Sequence, residues 1–160
     1  MKYFEDITVG ERTVVGRHTF RADEIKAFAT RFDPQPFHVD ETAAAGSHFG
    51  ALVASGWHTA VIWMRMTVEQ RRRSTEAARA RGEPVAAIGP ALGLRELRWF
   101  KPVYVDDTVE YASEIIETRA SESRPNLGLL TILSTGTNQH GEPVISFIST
   151  TFVERRPVKE

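Results

Sequence analysis

Apolar residues recur along the chain with two different periods, and each change of period marks an element. Between Arg12 and Phe20 the positions Val14, Gly16, His18 and Phe20 alternate with their neighbours, which predicts a strand carrying these four on one face. From Ala22 to Phe32 the period lengthens. Ile25, Phe28, Ala29 and Phe32 fall at helical spacing, and Asp23 and Glu24 sit in the first turn, where the helix dipole favours acids. Pro34 disfavours helical backbone at Asp33, so this helix should stop there.

A short helix is predicted over Glu41 to Ala45, ahead of Gly46, with Asp40 as its N-cap. A longer one should begin near Ser55 or Gly56, with Trp57, Val61, Met64 and Val68 as its apolar stripe. Its second half, Q-R-R-R-S-T-E-A-A-R-A-R-G-E-P, is polar and basic; it should project into solvent and end near Gly82 and Pro84. The remainder reads as strands. Leu94 to Phe100 stops before Pro102, and Thr108 to Arg119 places Val109, Tyr111 and Ile115 on one side. Leu127 to Thr137 and Val144 to Arg155 flank the turn N-Q-H-G-E-P with Gly141. Helices early and strands late predict an α+β fold, an antiparallel sheet wrapped around one long helix. Such a sheet leaves edges, which predicts a partner chain.

Composition narrows the function classes. The chain has 160 residues, enough for one domain spanning 1–160. Apolar residues make up 41% and charged residues 26%, with a net charge of -1, so no strong field calls for nucleic acid or an anionic membrane. Cysteine is absent, which removes thiolate chemistry and disulfides and fits a cytoplasmic setting. The N-terminal M-K-Y-F-E-D is charged where a signal peptide needs an apolar run. The most apolar stretch, Ala51 to Met64, is shorter than the roughly 20 residues that span a bilayer.

Candidate chemistry concentrates in F-D-P-Q-P-F-H-V-D, Phe32 to Asp40. Pro34 and Pro36 each fix one backbone angle, so the segment between Asp33 and His38 should resist collapse into a helix. Folded back over the sheet, the carboxylate and the imidazole could share one water, with a base on one side and a proton donor on the other. Acid–base help of this kind contributes roughly 10²–10⁴-fold. The same residues also suit a plain turn, since Asp before Pro is a common turn opener. Gly56 stands where the long helix opens, and free N–H groups there favour a developing negative charge. One such donor contributes about 2.7–4 kcal/mol in well-studied sites. A packing glycine is the plainer reading of Gly56.

Two further patterns have plainer explanations. His38 and Asp40, with His58 or His140, imitate the ligand spacing of non-haem iron sites, although His58 falls inside an apolar helix. Arg71, Arg72, Arg73, Arg79 and Arg81 could meet phosphates, but interspersed acids favour a solvated helix face with pairs such as Glu69–Arg73.

Taken together, F-A-T-R-F-D-P-Q-P-F-H-V-D (Phe28 to Asp40) and F-G-A-L-V-A-S-G-W-H (Phe49 to His58) resemble two motifs of the MaoC-like dehydratases. That family includes the (R)-specific enoyl-CoA hydratases. Its motifs are F-A-x-x-x-G-D-x-N-P-x-H-x-D and F-G-x-x-x-x-H-G-M-L. R-W-F-K-P-V-Y-V-D-D-T-V (Arg98 to Val109) and N-Q-H-G-E (Asn138 to Glu142) are similar to later family segments, so the likeness spans most of the chain. It implies a hotdog fold, a homodimer or higher homo-oligomer, and an acyl thioester substrate carried by coenzyme A. Asp33 and His38 would be the hydratase dyad, and Gly56 would polarise the thioester carbonyl. Gln35, Phe37, Ser55 and Trp57 would line the substrate pocket. No metal and no redox cofactor would be needed. The chain departs from the motifs at Phe32 (Gly in the family), Gln35 (Asn), Ser55 (His) and the Trp57–His58 pair (Met-Leu). A non-catalytic acyl-CoA binder and a hotdog thioesterase are the alternatives. Retention of both Asp33 and His38 argues against the binder, which needs only apolar walls and a few polar anchors.

Overall fold

The computed structural model describes residues 2–157. After a 3-10 turn at Phe4–Asp6, the elements are β1 (Arg12–Thr19), α1 (Ala22–Phe32), α2 (Pro36–Val39), α3 (Glu41–Ala45) and α4 (Gly56–Ala80). The strands β2 (Ile88–Trp99), β3 (Thr108–Ala120), β4 (Leu127–Thr137) and β5 (Pro143–Glu154) follow. All strand pairs are antiparallel, in the order β1-β3-β4-β5-β2. The long helix α4 packs against one face of this sheet through Ile62 and Trp63, which meet Val109, Tyr111, Ile145 and Phe147 in the main core. This is the hotdog arrangement. A second core cluster, Ala86, Leu130, Ile132 and Val153, lies farther along the sheet.

Helix boundaries follow local signals. The Asp40 carboxylate accepts from the Ala43 N–H at 2.9 Å and caps α3. Ser55 caps α4. The face of α4 that packs inward is not the expected one. Trp57, Val61, Met64 and Val68 are exposed, while His58, Thr59, Ile62, Trp63 and Thr67 are buried. The apolar stripe is real, but within this chain it faces away from the core. β1 departs from simple alternation for a similar local reason. Its pairing with β3 slips between Val14 and Gly16, a bulge that puts Val15 (5% exposed) inside and Val14 (49%) outside. β2 begins earlier than expected, at Ile88, and its register with β5 shifts three times. The second half of α4 is solvated as expected. Arg72 pairs with Glu76 at 3.0 Å, whereas Glu69 lies 4.0 Å from Arg65 rather than pairing with Arg73. No helix of the described residues is long and apolar enough to cross a membrane.

Candidate active site

The chain reversal between α1 and α4 assembles the site. α1 ends at Phe32, and Asp33 leaves helical geometry with φ -155° and ψ 66° because Pro34 follows. Pro36 acts in the opposite sense. It opens the helical turn α2, since a missing N–H costs nothing at the first helical position. The expectation that the two prolines keep helix out of this segment therefore holds at Pro34 and fails at Pro36. The turn carries His38 inward, where it is buried. Its Nδ1 lies 2.7 Å from the Val53 carbonyl oxygen. A carbonyl can only accept, so Nδ1 carries the proton and Nε2 is left for chemistry. That Nε2 is 3.5 Å from Asp33 Oδ2.

Both oxygens of Asp33 are held. Oδ2 accepts from the Ser55 hydroxyl at 2.6 Å, and Oδ1 accepts from the Gln35 side-chain amide at 2.8 Å. Partial burial pushes the carboxyl up. The hydrogen bonds from Ser55 and Gln35, with a smaller electrostatic pull from His38, outweigh it and leave Asp33 below the ordinary carboxylate range. Ser55 serves a second purpose, because its hydroxyl also accepts from the Trp57 N–H at 3.2 Å. One side chain thus ties the start of α4 to the carboxylate.

Gly56 is the first residue of α4, and its N–H has no acceptor among the described residues. Its need to be glycine is steric. A Cβ there would come within 2.7 Å of the Trp99 indole. The same indole donates from Nε1 to the Gly56 carbonyl at 2.9 Å, so Trp99 clamps the peptide unit that opens the helix. A cavity of about 420 Å³ runs past these groups. Asp33, His38 and Gly56 line it, as do Gln35, Phe37, Ser55 and Trp57. The structure thus brings every sequence-predicted site residue to one space.

The lining residues Trp99, Phe100, Lys101, Pro102 and Val103 were not singled out from the sequence as part of the site. All lie within R-W-F-K-P-V, so the segment's likeness to the family was the available signal. Lys101 is ion-paired with Glu142. The arginines of α4 do not reach this cavity; Arg71 and Arg79, with Arg81 just past the helix, border a separate one. Among the described residues no three His, Asp or Glu side chains converge as metal ligands. The Asp40 carboxylate is occupied at the cap of α3, and the His58 ring is stacked on Phe28 at 4.4 Å.

Comparison with known proteins agrees with this geometry. The chain resembles the MaoC-like dehydratase of Rhodospirillum rubrum, with a TM-score of 0.83 and 40% identity, covering 99% of this chain and 100% of that one. It is 29% identical to the uncharacterized protein YdeM of Bacillus subtilis, over 84% of this chain and 86% of that one. Against the mesaconyl-CoA hydratase of Cereibacter sphaeroides it is 34% identical, over 41% of this chain but only 19% of that protein. The MaoC like domain family matches residues 7–135, and the chain belongs to that family.

Proposed function

We propose that the chain adds water across the C2=C3 double bond of an enoyl thioester, or removes it from the 3-hydroxyacyl form. Its likeness is to dehydratases and hydratases, and one observation carries the finer reading. A buried imidazole with a free Nε2 stands 3.5 Å from a carboxylate kept ionised, in a cavity that also exposes the opening peptide of α4.

In the hydration direction, the thioester oxygen accepts from the Gly56 N–H, and water sits between Asp33 and His38. Ser55 and Gln35 stabilise the Asp33 anion, which disfavours a proton there. The water proton therefore passes to His38 Nε2 as the water oxygen bonds to C3. The Asp33 anion steadies the imidazolium that results. The electron pair of the double bond moves into the thioester, where the helix N–H holds the developing charge. His38 then returns the proton to C2. One water is added, and both side chains end as they began. Acyl-CoA is the substrate class of this reading, which requires no metal or redox cofactor.

The reading includes a second copy of the chain. The exposed stripe Trp57, Val61, Met64 and Val68 and the unpaired edge strand β2, with Leu92, Leu94, Trp99 and Phe100 exposed, are apolar surfaces of the kind a partner covers. Crotonyl-CoA tests the chemistry. Loss of its enoyl thioester absorbance without thiol release is the expected result. Thiol release would make the chain a thioesterase, and binding with neither change would make it a carrier.

A further inference from the structure

The space beneath α4 is divided in two, and the division falls across the path an acyl tail would take. The catalytic cavity reaches inward along α4 as far as Thr59. One helical turn on, Trp63 borders a second and larger cavity of about 870 Å³, whose walls include Thr67, Ile115, Leu130, Ile132 and Ser149. Between them stands a wall of rings. The Trp63 indole meets the Phe147 ring edge-on, with centroids 4.5 Å apart and planes at 90°. Tyr111 adjoins them, fully buried, and its hydroxyl donates to the Thr59 carbonyl at 3.0 Å. On the sheet side the same boundary is visible along two strands. Ser149 of β5 and Ser113 of β3 line the second cavity, while Phe147 and Tyr111, two residues away on each strand, are sealed in the core.

We propose that Trp63 and Phe147 form the end wall of the acyl pocket and restrict this protein to short acyl thioesters. This rests on the hydratase reading for the direction in which the substrate lies. With the thioester oxygen at Gly56 and C3 facing Asp33 and His38, the tail points inward past Thr59. There it meets the rings before it reaches the larger cavity. The catalytic cavity, about 420 Å³ in all, must also hold the thioester and the reacting water. A chain that continues inward past Thr59 is stopped by the rings, although about 870 Å³ lies on the far side. The Trp63 N–H has no partner among the described residues, so packing against Phe147 holds the indole in place.

Saturated thioesters read the wall without turnover. Butyryl-CoA and decanoyl-CoA are titrated calorimetrically into the wild-type chain, Trp63→Ala and Phe147→Ala, with Phe147→Leu as the milder change should the alanine variants unfold. The wild type is expected to favour butyryl-CoA. The ratio of decanoyl to butyryl affinity should rise at least about tenfold in each folded variant, the scale on which apolar pockets discriminate chain length. A ratio that stays put, or a wild type that already binds decanoyl-CoA as tightly, overturns the wall. Hydration of crotonyl-CoA by the wild type is measured in parallel. A moved ratio with no hydration would retain the wall and overturn the hydratase reading; hydration with an unmoved ratio would do the reverse. If neither thioester binds, the wall is overturned, and the crotonyl-CoA result alone decides the hydratase reading.

Discussion

Ser55 shows how one side chain can serve two masters at the residue scale. Its hydroxyl caps α4 through Trp57 and at the same time donates to Asp33. Removing it takes a donor from an anion, so the Asp33 carboxyl should rise from its depressed value. The Asp33 carboxyl should titrate at higher pH in Ser55→Ala than in the wild type, read by carbon NMR of the carboxyl group, together with a loss of about tenfold in kcat at neutral pH, and Ser55→Thr should restore both. A fall in kcat with no movement of the Asp33 titration would mean that Ser55 matters only as a cap. Asp33, His38 and Gly56 stood out as candidates in the sequence through the prolines and the helix-opening glycine, and their proposed roles through the likeness to the family motifs. The Ser55–Asp33 contact was not, because it joins residues 22 positions apart that only the folded reversal brings together. The Trp99 clamp on Gly56 spans 43 positions and was hidden for the same reason.

Among the elements, α4 combines what periodicity reveals with what it conceals. Its start and its long run were readable from Ser55, Gly56 and the spacing that follows. Its orientation was not. An apolar stripe signals that something covers a helix face, and a partner copy writes the same pattern as a core. The inward face is meanwhile diluted by His58, Thr59 and Thr67. His58 is the costly member. It is 2% exposed, stacked on Phe28 and edge-on to Phe20, and its Nδ1 has no partner among the described residues. Burial lowers its pKa to about 4, only partly opposed by Glu24 of α1; His18 of β1 and Arg65 of α4 push it the same way as burial. In the unfolded chain the ordinary value is 6.5. Between these two values the unfolded state binds more protons, so His58 makes stability fall as pH falls from 6.5 to about 4. His58→Phe keeps a ring in the slot and removes the proton. The variant should lose less stability than the wild type across that window, by a slope approaching about 1.4 kcal/mol per pH unit. Parallel denaturation curves for the two proteins at every pH would refute the burial of a neutral His58.

For the whole molecule, the α+β class and the strand-rich second half followed from the order of helical and alternating segments. The bulge in β1 and the two cavities did not, because both depend on how layers meet rather than on any one segment. The proposed self-association belongs to this scale. With apolar residues exposed on both α4 and β2, a second copy should cover them. Val61→Arg should convert the assembly to monomers in sedimentation. It should leave the circular dichroism of the chain unchanged, because Val61 lies outside the core of its own chain, and substitutions at such positions usually shift the stability of the chain by no more than about 0.5 kcal/mol. A wild type that sediments as a monomer, or a variant that sediments as the wild type does, would remove this surface from consideration.

The dyad is the central claim, and crotonyl-CoA hydration by Asp33→Asn and His38→Ala tests it most directly. Each variant should keep its fold and lose about 100-fold or more in kcat. Hydration at the wild-type rate by either folded variant would contradict the assignment.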